Sequence, residues 1–386
     1  MSSSSTASRV QKRFLKYQHL FVFTAPVLFV ASVLLFAPTD GATGTSYWLQ
    51  YWWLFPVFLT GATVVNTVGI SGSALFVPFF IFLFPIFESG SLDPGMWAAV
   101  ALEPETLVKV GLISEAFGLS SSSVAFIQYG LVDRKLALTI VAGSVPFVVA
   151  GAVISFLIPA WVFHLLLGVA LTAAAYLLMR ADLEHEEPGE DDADAGETAA
   201  AADGGVADRD LPDDDDKLGP AGVRTDADGT VTRVDREGDD YEYTRGGYLR
   251  RFANYSVGGT FQGLAGFGSG ELGIVSMLGT KVPVRVAIGT NHIVVATTAI
   301  LASLVHVFGG GVLVDLVPSL EGTVHSLSLA STPWNMVVFT VPATVTGGQI
   351  APYVSNALET STIKKGVAGL FGVISLALFG MAMGGL

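Results

Sequence analysis

Residues 61–75, GATVVNTVGISGSAL, align without a gap on residues 258–272, GGTFQGLAGFGSGEL, and the rest of the chain is organised around that pairing. Gly61 falls on Gly258, Thr63 on Thr260, Gly69 on Gly266 and Leu75 on Leu272. Both stretches set glycines inside an apolar run, where each weakens a helix by about 1 kcal/mol relative to alanine. The same lapse at corresponding places in two halves marks an internal repeat. Farther on, PETLVKVGLISEAF from Pro104 sets against PVRVAIGTNHIV from Pro283, with Gly111 opposite Gly289 and Lys109 two positions beyond the slot of Arg285.

Around these stretches the chain is strongly apolar. Of 386 residues, 51% are hydrophobic and 14% charged, and the mean hydropathy is +0.58. Soluble domains carry about 25% charge, so these figures point to an integral membrane protein. Apolar runs long enough to cross a ~30 Å hydrocarbon layer as helix recur in both halves. They are unbroken rather than alternating, which excludes a β-barrel as the main architecture. With no cysteine, neither a disulfide framework nor a thiolate metal site is available. Leu20 to Phe36, preceded by Arg9, Lys12, Arg13 and Lys16, has the flanks of a signal peptide but lacks a good cleavage site in PTDGATGTS, so it reads as an uncleaved first span.

The net charge of −14 has one source: residues 181–247 hold 23 acids against 6 bases, and the remaining chain, with 11 acids and 14 bases, is slightly basic. That segment has few large apolar residues and is expected to be disordered, as a solvated linker. The chain thus divides into an N-terminal basic segment with an extra transmembrane helix (1–48), a first repeat (49–180), an acidic cytoplasmic linker (181–247) and a second repeat (248–386).

Lys and Arg mark the cytoplasmic loops. They cluster before the first span and at Arg134 and Lys135, Arg180, Arg250 and Arg251, Lys281 and Arg285, and Lys364 and Lys365, and are missing from 38–50, 88–97 and 309–332. This pattern fits if each glycine-rich stretch is a hairpin of two short helices that enters and leaves on one side. The first unit is then a hairpin over 51–87 with spans 98–128, 136–157 and 160–180. The second is a hairpin over 249–280 with spans 284–308, 333–356 and 361–383, running the opposite way. The expected fold is an all-α polytopic membrane protein of two inverted repeats, each a broken-helix hairpin plus three spans, with one extra N-terminal span. Hairpins of two full spans would give parallel repeats and place Lys281 and Arg285 outside, against the charge rule. Inverted repeats with interrupted helices are a frequent plan of secondary transporters, whose substrate site lies where the breaks meet.

GISGSALFVP (69–78) and GFGSGELGIV (266–275), with VRVAIGTN (284–291) and its fainter counterpart LVKVGLIS (107–114), resemble the TauE/SafE sulfite exporter family, also called the toluene sulfonate uptake permease family. The resemblance covers most of the chain apart from the first span and the linker. It implies movement of sulfite, thiosulfate, sulfonates or other small organic acids. Ser71, Ser73 and Ser269 stand where the family pattern has glycines, the proline after the second motif is absent, and Glu271 has no counterpart in the pattern.

An anion leaving water needs hydrogen-bond donors and positive potential, and free N–H groups at a helix start supply both. Gly69, Ser71, Gly72 and Ser73, with Gly266, Gly268, Ser269 and Gly270, are therefore the first candidates for the substrate site. Close helix packing asks for the same small residues. Thr290 and Asn291 could donate to an oxyanion or bond between helices. Charge inside a span costs from about 2.5 kcal/mol upward, so Lys109, Glu115, Glu271 and Arg285 are coupling or charge candidates, with His292 beside them. Lys109 could instead pair with Glu105, and Arg285 could mark the end of its span. Glu271 could repel a doubly charged anion, carry a co-transported proton, or accept hydrogen bonds at a helix start.

His292 and His306 share a span and His164 lies on another, without metal-ligand spacing such as HExxH. Ser120 to Ser123 could line a polar path or bond back to their own helix. The expected partners are a small anion and the lipid bilayer, with a homo-oligomer left open. No metal, cofactor or nucleic acid is called for, and no nucleophile constellation suggests an enzyme. A membrane scaffold or sensor signalling through the linker is the alternative.

Overall fold

The computed structural model describes residues 17–39, 44–97, 99–128, 132–155, 157–183, 222–225, 231–234, 240–243, 245–278, 282, 284–320, 327–357 and 360–383. A helix α1 (Gln18–Phe36) and a short α2 (Thr45–Leu49) precede the first half. That half comprises α3 (Leu54–Val68), α4 (Ser73–Ser89), a single turn α5 (Pro94–Trp97), α6 (Pro104–Gln128), α7 (Arg134–Ser155) and α8 (Ala160–Leu183). The second half comprises α9 (Arg245–Ala265), α10 (Ser269–Leu278), α11 (Val284–Leu316), α12 (Trp334–Ala357) and α13 (Thr360–Ala382).

The helix boundaries follow local chemistry. Gly69, at φ +73°, ends α3 in the left-handed conformation that a side chain disfavours. Gly266 at φ +84° and Gly268 at φ +122° turn the chain between α9 and α10. Pro78 removes an amide donor inside α4, and the next turn, Phe79–Leu83, widens into a π-helix. Proline at the first position of α6 needs no N–H partner there. The expected hairpins and spans fall on these helices, although α11 continues to Leu316 rather than stopping at 308.

One expectation is corrected. Inside the segment predicted to be disordered, Gly222–Thr225 (β1), Val231–Val234 (β2) and Asp240–Tyr243 (β3) pair as an antiparallel sheet in the order β1-β2-β3. Val223 lies opposite Arg233, and Arg233 opposite Tyr241. The β-branched and aromatic residues of GVRT, VTRV and DYEY favour strands, a local signal that average acidity conceals. The rest of the acidic run, and the basic residues 1–16, lie outside the described residues.

The helical body inverts the soluble pattern of burial. Its outer faces are apolar, with Phe36 80% and Leu376 73% exposed, while Lys109, Glu115, Glu271, Asn291 and His306 are buried. Such faces suit hydrocarbon rather than water. Among the described residues, three helices are long and apolar enough to cross a membrane, 104–127, 136–155 and 286–316, and shorter apolar helices accompany them.

The halves interlock. The helix α3 packs on α12, and its counterpart α9 packs on α7; α6 packs on α11, and α8 on α13. Along α6 and α11, Phe126 meets His292 at 4.7 Å while Leu119 meets Val295 and Ala296, so these two run antiparallel. Along α6 and α12, Ser114 bonds Thr340 and Gln349 bonds Ser121, so they run parallel. Thr67 beside Ala351 and Gly347 against Ala62 make α3 and α12 parallel as well. Tyr255 with Asn291 and Gly263 with His306 make α9 parallel to α11. By these pairs α3 and α9 point in opposite directions, as α6 and α11 do.

Candidate functional site

The two breaks meet at the centre of the bundle. A Cβ added to Gly270 would lie 2.6 Å from the Ser71 amide nitrogen, so the backbones touch. Ser71 and Ser73 are fully buried, as is Ser269. Gly69, Gly72, Gly266 and Gly268 shape the two turns. All eight small residues singled out from the sequence are therefore brought together.

Two carboxylates occupy the junction. Glu271, in the first turn of α10, accepts the Gly268 amide at 2.8 Å and, from the other half, the Ser71 amide at 3.2 Å. Glu115, on α6, accepts the Ser73 amide at 3.0 Å and the Ser73 hydroxyl at 2.5 Å on Oε2. Its Oε1 accepts from the Ser71 hydroxyl at 2.7 Å and from Gln262 Nε2 at 3.1 Å. Ser71 thus joins both carboxylates. Of the roles open to Glu271, hydrogen bonding at a helix start is the one seen, and it ties one half to the other. The amides expected to cradle an anion are here held by the protein's own side chains.

Asn291 completes the junction from α11. Its Nδ2 donates to Gly69 O at 2.9 Å and Gly270 O at 2.8 Å, and its Oδ1 accepts from Tyr255 OH at 3.1 Å. The repeat equates Gly69 with Gly266 and Ser73 with Gly270. Asn291 therefore stands to the Gly69 and Gly270 carbonyls as Glu115 stands to Ser73 and the Gly266 turn. This corrects the register of the long helices by two residues: Glu115 matches Asn291, and Lys109 matches Arg285 rather than falling beyond it.

Other candidates lie away from the junction. Thr290 Oγ1 accepts the Asp133 amide at 2.9 Å, an interhelical tie. Lys109 donates to Ser328 O at 2.9 Å and Ser331 Oγ at 2.7 Å rather than to Glu105. Arg285 belongs to the first turn of α11. The ring of His292 bonds Ile288 O of its own helix, and that of His306 bonds Gly263 O on α9. Ser120 bonds back to Ala116 O, whereas Ser121 reaches Val345 O on α12 and Ser122 reaches Asn66 on α3.

Gln262 and Tyr255 are the junction residues missed from the sequence. A buried amide four residues before the glycine turn, in an otherwise apolar run, was the signal for Gln262; Tyr255 offers none, since an aromatic at helical spacing reads as core.

The junction is tightly packed, with the Gly270 and Ser71 backbones in contact. The space beside Glu271, bounded by Ile70, Ala174, Ile274, Val275 and Phe371, measures about 10 Å³, barely room for one water. Larger cavities of about 840 Å³ beside α3, α4 and α13 and about 390 Å³ beside α1, α6 and α11 have almost wholly apolar linings. Polar groups converge at the breaks instead.

A bundle of apolar helices whose two interrupted elements face each other around buried polar groups is the architecture of a membrane transporter. The chain belongs to the sulfite exporter TauE/SafE family, whose family model matches residues 53–378. That match takes in both breaks and leaves α1 outside. Neither curated proteins nor solved structures gave a match.

Proposed function

We propose that this protein is a secondary transporter, an exporter of small sulfur-containing or organic anions such as sulfite, thiosulfate or sulfonates. It works by alternating access around a midplane site at the two glycine-rich breaks, coupled to protons. The observation that carries this reading is the bond from the Ser71 amide to Glu271, which joins breaks 200 residues apart in sequence at one buried point. The donors gathered there, the Ser71, Ser73 and Gly268 amides and two serine hydroxyls, are the groups an oxyanion requires. In the closed state they hold carboxylates; in an open state the anion takes over some of them. The opposite directions of matched helices support an inverted repeat across the bilayer, and the basic loop residues favour a cytoplasmic N-terminus and linker.

Radiolabelled sulfite, thiosulfate, methanesulfonate and acetate, offered to proteoliposomes under imposed pH and sodium gradients, test this reading. Saturable flux of at least one anion is expected, driven by the pH gradient and indifferent to sodium. No saturable flux for any of them would overturn it.

A further inference from the structure

The two carboxylates of the junction differ in what their partners are able to do. Both bonds made by Glu271 come from backbone amides, which donate and never accept. A proton on Glu271 would turn one oxygen into a donor facing a donor. Glu115 is surrounded differently. Ser71 Oγ lies 2.7 Å from Glu115 Oε1 and 3.0 Å from Gly266 O, and one hydroxyl hydrogen serves only one of them at a time. With Glu115 charged, that hydrogen points to the carboxylate. With Glu115 protonated, its O–H donates to Ser71 Oγ and the serine hydrogen turns to Gly266 O, with no heavy atom moved. Gln262 Nε2 bridges Glu115 and Gly266 O and goes on donating to both whichever way the serine hydrogen points.

We propose that Glu115 binds the transported proton, with the Ser71 hydroxyl turning between it and Gly266 O as the reversible partner, while Glu271 remains a fixed anionic clasp between the halves. The inference rests on the transporter reading above and replaces Glu271 by Glu115 as the coupling residue. Proton uptake neutralises Glu115 and weakens its hold on the Ser73 amide and both serine hydroxyls. Those donors then become available to the anion, so proton and anion bind in support of each other. Among the described residues the surroundings contain one other candidate. The helix α4 with its preceding turn presents serines and backbone, α9 presents Gln262, and α12 presents Thr340 and Thr344 near Ser114. On α11, His292 and His306 are turned to backbone carbonyls, and Lys109 on α6 itself is turned to Ser328 and Ser331. Glu271 is the ionisable group that shares a partner with Glu115.

The test is anion uptake against pH in proteoliposomes, using the four anions above, with proton movement followed by a pH-sensitive dye trapped inside. Uptake by the unaltered protein should rise by up to about tenfold per unit fall in pH where one proton is coupled. Glu115→Gln should exchange anion with a flat profile and move no protons. Glu271→Gln should keep the slope at a lower rate. A wild-type slope and proton flux in Glu115→Gln, or loss of the slope in Glu271→Gln alone, overturns the assignment. Should Glu115→Gln fail to fold, the unaltered protein decides in weakly buffered detergent solution. Proton uptake on adding thiosulfate or methanesulfonate, with the uptake midpoint displaced in Glu115→Asp, supports the assignment, and its absence or an undisplaced midpoint overturns it. A protein that moves an anion without protons sinks this inference alone, whereas one that moves no anion sinks the transporter reading with it.

Discussion

The two halves put the same backbone device at the centre of the molecule and fill it with different side chains. In the first half the long helix brings Glu115 to the break; in the second it brings Asn291, a neutral amide, to the equivalent place. In the short helices that follow the breaks, Ala74 of the first half corresponds to Glu271 of the second, and Ser73 corresponds to Gly270. Each half therefore contributes one carboxylate, but from a different element. Duplication supplies the scaffold, and the two halves depart from symmetry at the residues that carry charge. A charge in a symmetric position on both long helices would place a third carboxylate in the junction, beside donors already taken.

The largest break in the comparison is expected from Asn291→Asp, which makes the long helices alike in charge. The Gly69 and Gly270 carbonyls then lose their donor and face a buried anion, at a cost of about 3–5 kcal/mol. The measurement is the melting temperature and monodispersity of the detergent-solubilised protein, and wild-type stability would show that the two positions are interchangeable. A smaller effect is expected from Gly270→Ala, which puts a Cβ 2.6 Å from the Ser71 nitrogen where the first half tolerates serine. Overpacking of that kind costs about 1–3 kcal/mol. Anion flux should fall at least about tenfold through the displaced break; undiminished flux would mean that the contact between the breaks is dispensable. The smallest effect belongs to His292→Phe. His292 matches Ala116 in the corrected register, its ring packs on Phe126 at 4.7 Å, and its Nδ1 bonds Ile288 O of its own helix. A phenyl ring should change stability by about 1 kcal/mol or less and leave the pH profile of flux unchanged. A changed profile would bring this histidine into the coupling path.

Much of the fold was legible because its signals are local. Gly69, Gly266 and Gly268 carry positive φ, and their recurrence at matched places in two apolar runs pointed to the breaks. Span limits followed from hydropathy and from basic loop residues. The β strands at 222–243 were missed because they occupy twelve residues within an acid-rich stretch whose average conceals them. The candidate site was half legible. The eight small residues were recognisable from repetition, Asn291 as a hydrogen-bond donor on the long helix, and Glu115 and Glu271 from the cost of charge in a membrane, yet neither carboxylate announced its partners. Gly111 and Gly289 suggested a register for the long helices that was two residues out, since a glycine in a helix records close packing as readily as correspondence between repeats.

By itself, then, the sequence determined that this is a helical membrane protein with two matched breaks, because hydropathy and glycine act on the residues that carry them. Only the tertiary structure decided which donors meet which carboxylates. Ser71 reaches Glu271 across 200 residues and Gln262 reaches Glu115 across 147, through the packing of α6, α9 and α10 around the breaks. Hydrogen-bond reach is about 3 Å, so a rotation or slide of one helix by a fraction of a turn would exchange every partner at the junction while leaving the hydropathy pattern as it is.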